Sequence, residues 1–326
     1  MFAPPVIQQL SGERLHLSHG PIDVVLRAWG RPRDVRGAYE AACARFPAIL
    51  PELCDELAQL RTPMAEAPSV DGLVARRMVE ACRPFAEVFV TPMAAVAGAV
   101  ADELLACMIA AAPLERAFVN DGGDIAVHVA PGHVLDIGVA GDFSRGAAPL
   151  LNGSLRLDAA SGVGGIATSG ARGRSFSLGI ADAVTALARD AATADVAATL
   201  IANAVDIDSP AIIRRPAREL DPDSDLCDRP VTVSVGPLSP AEIEAALAGG
   251  LARAAGFQHR GLIAGACLML AGQSRVLEGL SRTEPASFPR SVSASGNQAA
   301  RGPVAAGSPL SASLGGDDER RVLRVD

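Results

Sequence analysis

The sequence predicts a chain built from both helices and strands, with the strands joined by tight turns. Two observations carry this. Residues 116–120, 124–130 and 133–139 form three short apolar-rich runs, separated by Asp121-Gly122-Gly123 and by Pro131-Gly132, both of them turn signals. Residues 34–60, 70–84, 93–111 and 192–204 instead read as helices, with apolar residues at helical spacing or Ala-rich composition.

Taken in order, residues 13–29 split at Gly20-Pro21 into two alternating runs, a hairpin-like pair of strands. His16 and His19 flank the turn and read as exposed polar residues. The helix over 34–60 is expected to break near Pro47 and Pro51, because proline removes a backbone donor. Residues 86–90, AEVFV, read as a short strand. The 93–111 segment is apolar on most sides, so it reads as a buried helix, and Gly98 within it points to close approach of another backbone. Asp102 and Glu103 in its middle argue against a membrane span.

Residues 140–153 read as a loop and 153–158 as a strand. GVGGIATSG (162–170) has four glycines in nine residues, which excludes helix. It reads as a Gly-flanked loop able to cradle phosphate through backbone N–H groups and the hydroxyls of Thr168 and Ser169, with Arg172 and Arg174 as a basic patch beyond it. Residues 181–189 fit helix and strand equally. Residues 211–217 and 231–236 read as strands. Ser239-Pro240-Ala241-Glu242 is a capped helix start, and that helix is expected to stop at Gly256. Residues 261–272 suit a buried strand. From about Ser281 the chain turns Ser-, Pro-, Gly- and Arg-rich without periodicity. This divides it into a folded domain over 1–280 and a disordered tail over 281–326.

Composition narrows the function classes. The chain has 326 residues, 49% of them hydrophobic, enough for a substantial core. A net charge of −8 disfavours a nucleic-acid partner. No lysine is present, which excludes a Schiff-base lysine and a Walker-type phosphate loop. The six cysteines are dispersed with no C-x-x-C pair, consistent with a reduced, cytoplasmic protein rather than a zinc ribbon. The N-terminus lacks the basic start and apolar run of a signal peptide. DPDSDLCD (221–228) resembles an EF-hand start but has Leu226 where glycine is needed, so it reads as a capped acidic turn.

Candidate chemistry lies in two places. Asp195 and Thr199 are four apart, and so share one helix face; a carboxylate and a hydroxyl stacked this way suit a hard cation such as Mg²⁺. The alternative is a polar surface stripe, disfavoured by the Ala, Val, Leu and Ile around them. In DGGD (121–124) the glycines allow backbone N–H groups to approach a ligand, with Asp124 as acceptor, and the same residues suit an ordinary hairpin turn.

Three blocks together resemble the ApbE superfamily, whose best-known members are FAD:protein FMN transferases: AVAGAVADELL (95–105), FVNDGGDIAV (118–127), and IATSG through ADVAATL (166–200). HGPIDVV (19–25) and PDSDLCDRPVTVSVG (222–236) are similar, more narrowly, to an ApbE-like UPF family of unknown function. The resemblance covers about 10–275. It implies an α+β fold with mixed or antiparallel sheets packed with helices. It also implies that Asp195 and Thr199 match Mg²⁺ ligands, completed by a backbone carbonyl near Ala94. By the same analogy Gly122, Gly123 and Asp124 line a cleft for FAD or a related nucleotide, with Thr168 and Ser169 beside it. Asp182 and Asp124 are the acid/base candidates.

Two departures matter. Ala97 stands where the transferases have Lys, and Gly179 stands near the place of their His. The sequence therefore leaves two leading readings, an Mg²⁺-assisted enzyme acting on a flavin nucleotide or related diphosphate and a binding protein that has lost the transfer chemistry, with a structural subunit whose apolar helix at 93–111 contacts a partner behind them.

Overall fold

The computed structural model describes residues 3–142, 150–173, 175–278 and 324–325. Its elements run β1 (Val6–Leu10), β2 (Arg14–His19), β3 (Ile22–Trp29), α1 (Pro32–Asp55), α2 (Leu57–Leu60), α3 (Leu73–Cys82) and α4 (Val96–Ala111). There follow β4 (Arg116–Asp121), β5 (Asp124–Val129), β6 (Val134–Asp142), β7 (Leu150–Asp158), β8 (Gly165–Ser169), β9 (Ala183–Ala188) and α5 (Ala191–Ala204). The chain continues through β10 (Ile212–Pro216), α6 (Ala217–Leu220), β11 (Pro230–Val235), α7 (Pro240–His259), β12 (Gly265–Leu270), β13 (Gln273–Leu277) and β14 (Arg324–Val325).

The protein is α+β. Nine strands form one sheet in the order β1-β2-β3-β4-β5-β8-β9-β12-β13, every neighbouring pair antiparallel. Strand alternation divides its side chains between two faces. One face carries Leu17, Val24, Leu26, Val119, Ala126, Ala167, Val184 and Leu268 into the main core, against the helices. The other carries Phe118, Ile125, Val127 and Ile166 onto Leu135, Ile137 and Leu157 of the β6–β7 hairpin. β10 and β11 make a separate two-stranded ribbon.

α4 and α5 lie at the centre of the helical layer. Most of α5 is buried, because its sides are Ala, Val, Leu and Ile. A Cβ on Gly98 would fall 2.3 Å from the Ala191 carbonyl oxygen, so the two helices meet backbone to backbone. The stretch Pro92–Ala111 is apolar and long enough to cross a bilayer, yet it packs here as core against α1, α3, α5 and the sheet. Its two charges are accommodated inside. Glu103, only 5% exposed, accepts hydrogen bonds from Arg45 of α1 (2.9 Å) and Arg77 of α3 (3.1 Å).

Several local expectations fail. α1 runs through Pro47 and Pro51 without breaking. Both prolines lie on the exposed side, where water can satisfy the freed carbonyls, while Phe46, Ile49, Leu50 and Leu53 hold the inner side in the core. Residues 86–90 form no strand; Val90 gives its carbonyl to the Met64 amide instead of a ladder. His19 is buried rather than exposed, packed against Phe46 at 6.3 Å between ring centroids. Gly256 does not end α7, which continues to His259 because Phe257 is drawn into the core edge-on to Phe85.

Residues 162–170 are not a free loop, because Gly165–Ser169 is strand β8, paired with β5 and β9. The glycines there serve packing. A Cβ on Gly165 would lie 2.1 Å from the Asp190 carbonyl carbon, so β8 passes directly beneath the start of α5. The ambiguous 181–189 segment is strand β9. β6 and β7 extend into the stretch read as a loop, and β1 and β13 were not foreseen. Arg174 and the tail beyond residue 278 lie outside the described residues, apart from Arg324–Val325, which pairs with Gly138 and Ile137 of β6.

Glu103 supplies the fold-level prediction. Truncating it leaves the largely buried Arg45 guanidinium with Glu52 alone, so Glu103→Ala is expected to lose roughly 1–3 kcal/mol in urea unfolding.

Candidate functional site

The helices α4 and α5 exchange first-turn amides. A helix leaves its first N–H groups without internal partners, and these need acceptors. Gly98, in the first turn of α4, donates its N–H to Asp195 Oδ2 of α5 at 3.1 Å. In return, Ala191 and Ala192 of α5 donate to the two carboxylate oxygens of Asp102 on α4, at 3.0 and 2.9 Å. Asp190 completes the cap by accepting from the Thr193 amide at 2.7 Å. Each helix therefore inserts a carboxylate at the positive end of the other, where the peptide dipoles favour negative charge.

Asp195 stands at the middle of the predicted site. Its carboxyl is raised well above the usual aspartate range, first by burial, then by the neighbouring Asp124, with Asp121 and Asp102 adding to it and the Gly98 N–H opposing. The residue as a whole is half-buried, while its carboxyl is turned inward among these groups. Asp102 is pushed up to about 6, mainly by burial, against the pull of its two amide bonds.

Strand alternation decides what else faces this place. Asp121 and Asp124 are register partners flanking the β4–β5 turn, and they share a face with Val119 and Ala126, toward the helices. Gly122 and Gly123 make the turn, at φ +64° and +115°, held by the Gly123 N–H to Asn120 Oδ1 at 2.8 Å. A Cβ at Gly123 would meet nothing within 4 Å, so the positive φ rather than crowding calls for glycine there. Ser169, two residues on from the core residue Ala167, also faces the helices. Thr199 Oγ1 lies 3.4 Å from its hydroxyl.

Thr168 is placed differently. Its amide donates to Asp124 Oδ1 at 3.2 Å, but its hydroxyl bonds the Thr185 hydroxyl at 2.9 Å, on the face away from the helices. Asp182 is anchored elsewhere. Its carboxylate meets Arg172 at 2.7 Å and accepts the Ala271 amide at 2.6 Å, and none of the described contacts joins it to Asp195. Ala94 lies in a 3₁₀ turn, Pro92–Ala95, that leads into α4 and packs on α5.

Asp195, Thr199, Ser169 and Asp124 are thus assembled from α5, β8 and β5. Asp102 and Asp121 belong to the same electrostatic group, although the sequence reading gave neither of them a role there. The available signal was a carboxylate inside an apolar helix and the first residue of the DGGD turn.

A hard cation suits this donor set, which consists of oxygens with excess negative charge. Among the described residues no three His, Cys, Asp or Glu side chains converge into a closed metal site. A cation here would therefore rest on one carboxylate, neutral oxygens and water. An open groove of about 550 Å³ along α7, lined by Glu87, Arg253 and Arg260, contains none of these residues.

Gly179 is closed in by packing. A Cβ on Gly179 would fall 2.2 Å from the Ala202 carbonyl oxygen, so no larger side chain fits there.

Comparison with known proteins follows the same line. A family profile described as "AbpE bacteria" matches residues 7–276. Among curated relatives, the UPF0280 protein of Methanothrix thermoacetophila is 36% identical over 148 residues, 45% of this chain and 56% of that protein. The UPF0280 protein of Methanopyrus kandleri is 35% identical over 162 residues, 49% and 61% of the two chains. The chain thus spans little more than half the length of the curated relatives it matches. Among solved structures, the ApbE protein of Thermotoga maritima aligns with TM-score 0.43 and 13% identity, over 86% of this chain and 97% of that one. The apo form of the Pseudomonas stutzeri flavinyl transferase ApbE aligns with TM-score 0.34 and 14% identity, over 84% and 94%.

The raised carboxyls set a pH dependence. A carboxyl raised in the folded state holds its proton more tightly there than when unfolded, so stability falls as pH rises toward the folded value. For Asp102 that window runs from 3.8 to about 6, and ionising it costs on the order of 3 kcal/mol at neutral pH. For Asp195 the cost has the same sign. Asp195→Asn keeps an acceptor for Gly98 and removes the charge. It should be more stable than the parent in urea unfolding at pH 7.5, with the difference shrinking toward pH 5.

Proposed function

The chain belongs to the bacterial AbpE family, and from that premise we propose that it is a cytoplasmic protein performing Mg²⁺-assisted chemistry on a flavin nucleotide or related diphosphate. The observation that carries this reading is the buried Asp195 carboxyl, crowded by Asp124 and Asp121 and bonded to a helix-end amide, with the Thr199 and Ser169 hydroxyls 3.4 Å apart one turn along α5. Such a charge arrangement is costly by itself and is relieved by a cation.

Asp195, Thr199 and the Ala94 carbonyl would hold Mg²⁺, whose contribution is to neutralise a bound diphosphate. Gly122 and Gly123 would admit the nucleotide through their turn, with Ser169 beside it and Thr168 acting through its main chain. Asp124 is the better acid/base candidate, because it lies beside Asp195, whereas the Asp182 carboxylate is held by Arg172 and Ala271. The six cysteines, all free, suit a reducing compartment. The acidic net charge supports a small-molecule ligand over a nucleic acid.

A second reading, flavin or nucleotide binding without transfer, is favoured by the packing at Gly179 and by the absence of lysine. One experiment separates the two. Thermal shift is measured with FAD and with Mg²⁺, alone and together, while AMP release is followed. Transfer or hydrolysis predicts a Mg²⁺-dependent stabilisation by FAD, AMP release, and loss of both in Asp195→Ala. Stabilisation without AMP assigns binding only. No stabilisation by either ligand would sink both readings.

A further inference from the structure

We infer that Asp225 is a positioning residue for the Asp195 site, acting through Thr91 on the segment that delivers the Gly98 amide. The inference rests on the proposed cation reading, and it assigns a role to the acidic loop 221–229, which that reading leaves unused.

The loop is a closed strap. Asp221 Oδ1 accepts the Asp223 amide, and the Ser224 amide donates back to the Asp221 carbonyl. Its far end is tied to α6, where the Arg218 amide donates to the Cys227 carbonyl and the Ala217 amide to the Arg229 carbonyl. From this frame two side chains reach the segment ahead of α4. Arg229 stacks its guanidinium 3.1 Å from the Phe89 ring centroid. Asp225 Oδ2 accepts the Thr91 hydroxyl.

Thr91 is a junction. It is 2% exposed, so its hydroxyl needs a partner inside the protein. Its carbonyl accepts the Ala94 amide at 3.1 Å and the Cys82 thiol at 3.4 Å. It therefore starts the 3₁₀ turn Pro92–Ala95, which leads directly into α4 through the non-helical N-cap Ala95 (φ −120°, ψ 8°). Three residues past the turn, Gly98 gives its N–H to Asp195.

This path has little slack. Gly98 lies against the Ala191 backbone, so the start of α4 cannot shift without moving relative to α5. Releasing Thr91 from Asp225 frees the turn at its other end. The expected result is a looser Gly98–Asp195 contact and weaker cation binding, with the nine-stranded sheet intact.

The test uses the full chain with MgCl₂ as the probe. Mg²⁺ affinity is measured by calorimetry, and protection of the Gly98 amide by hydrogen exchange, for the parent and for Asp225→Ala, Asp225→Asn, Thr91→Val and Thr91→Ser. Asp225→Ala and Thr91→Val are expected to weaken Mg²⁺ binding about tenfold and to speed Gly98 exchange, while β2–β3 amides keep their protection. Asp225→Asn and Thr91→Ser, which keep an acceptor and a hydroxyl, should restore most of both. The double variant Asp225→Ala/Thr91→Val should be no worse than either single one, because both break one bond.

Mg²⁺ affinity within twofold of the parent and unchanged Gly98 protection in Asp225→Ala overturn the inference. So does an Asp225→Asn variant as impaired as Asp225→Ala. Should Asp225→Ala fail to fold, Thr91→Val against Thr91→Ser decides by the same criteria. If the parent itself binds no Mg²⁺, the cation reading fails, and Gly98 exchange alone then settles whether the strap positions this helix end.

Discussion

Two helices in backbone contact govern this molecule. Gly98 and Ala191 approach so closely that neither helix can shift alone, and each helix end is satisfied by a carboxylate from the other. The arrangement answers two demands at once. First-turn amides buried beneath other elements need acceptors, and buried carboxylates need donors. The rest of the helical layer extends this pair. α1 and α3 reach α4 through Glu103, and β8 can run beneath the start of α5 only because glycine occupies position 165.

The solution carries an electrostatic cost. Asp102 and Asp195 both sit above the ordinary aspartate range, chiefly because burial penalises their charge. The two differ in what surrounds them. Asp102 has both oxygens occupied by amides and works as a cap. Asp195 accepts the Gly98 amide through one oxygen and borders Asp124. Structures commonly hold such unfavourable charge where function uses it, and this asymmetry separates the architectural carboxylate from the functional candidate.

Gly179 is a glycine because the backbone there lies against the end of α5. Asp182, close to that place in sequence, is turned to Arg172 and to the β12–β13 turn at Ala271. The Asp182 carboxylate is thus held apart from the neighbouring Asp124 and Asp195.

Local pattern was enough for much of this. The four-residue spacing of Asp195 and Thr199, the DGGD turn, the capping box at Ser239 and the close approach at Gly98 all follow from helix and turn geometry within a few residues. Other features depended on partners far along the chain. The sheet register sends the Thr168 hydroxyl to Thr185 and leaves Ser169 facing Thr199, although the two are neighbours in sequence. The core keeps α1 continuous across two prolines, and the Asp102 carboxylate finds its amides 89 and 90 residues away. Periodicity is a property of the local backbone and can be read from residue order; which face of a strand meets which helix depends on long-range pairing, and only the assembled fold supplies that.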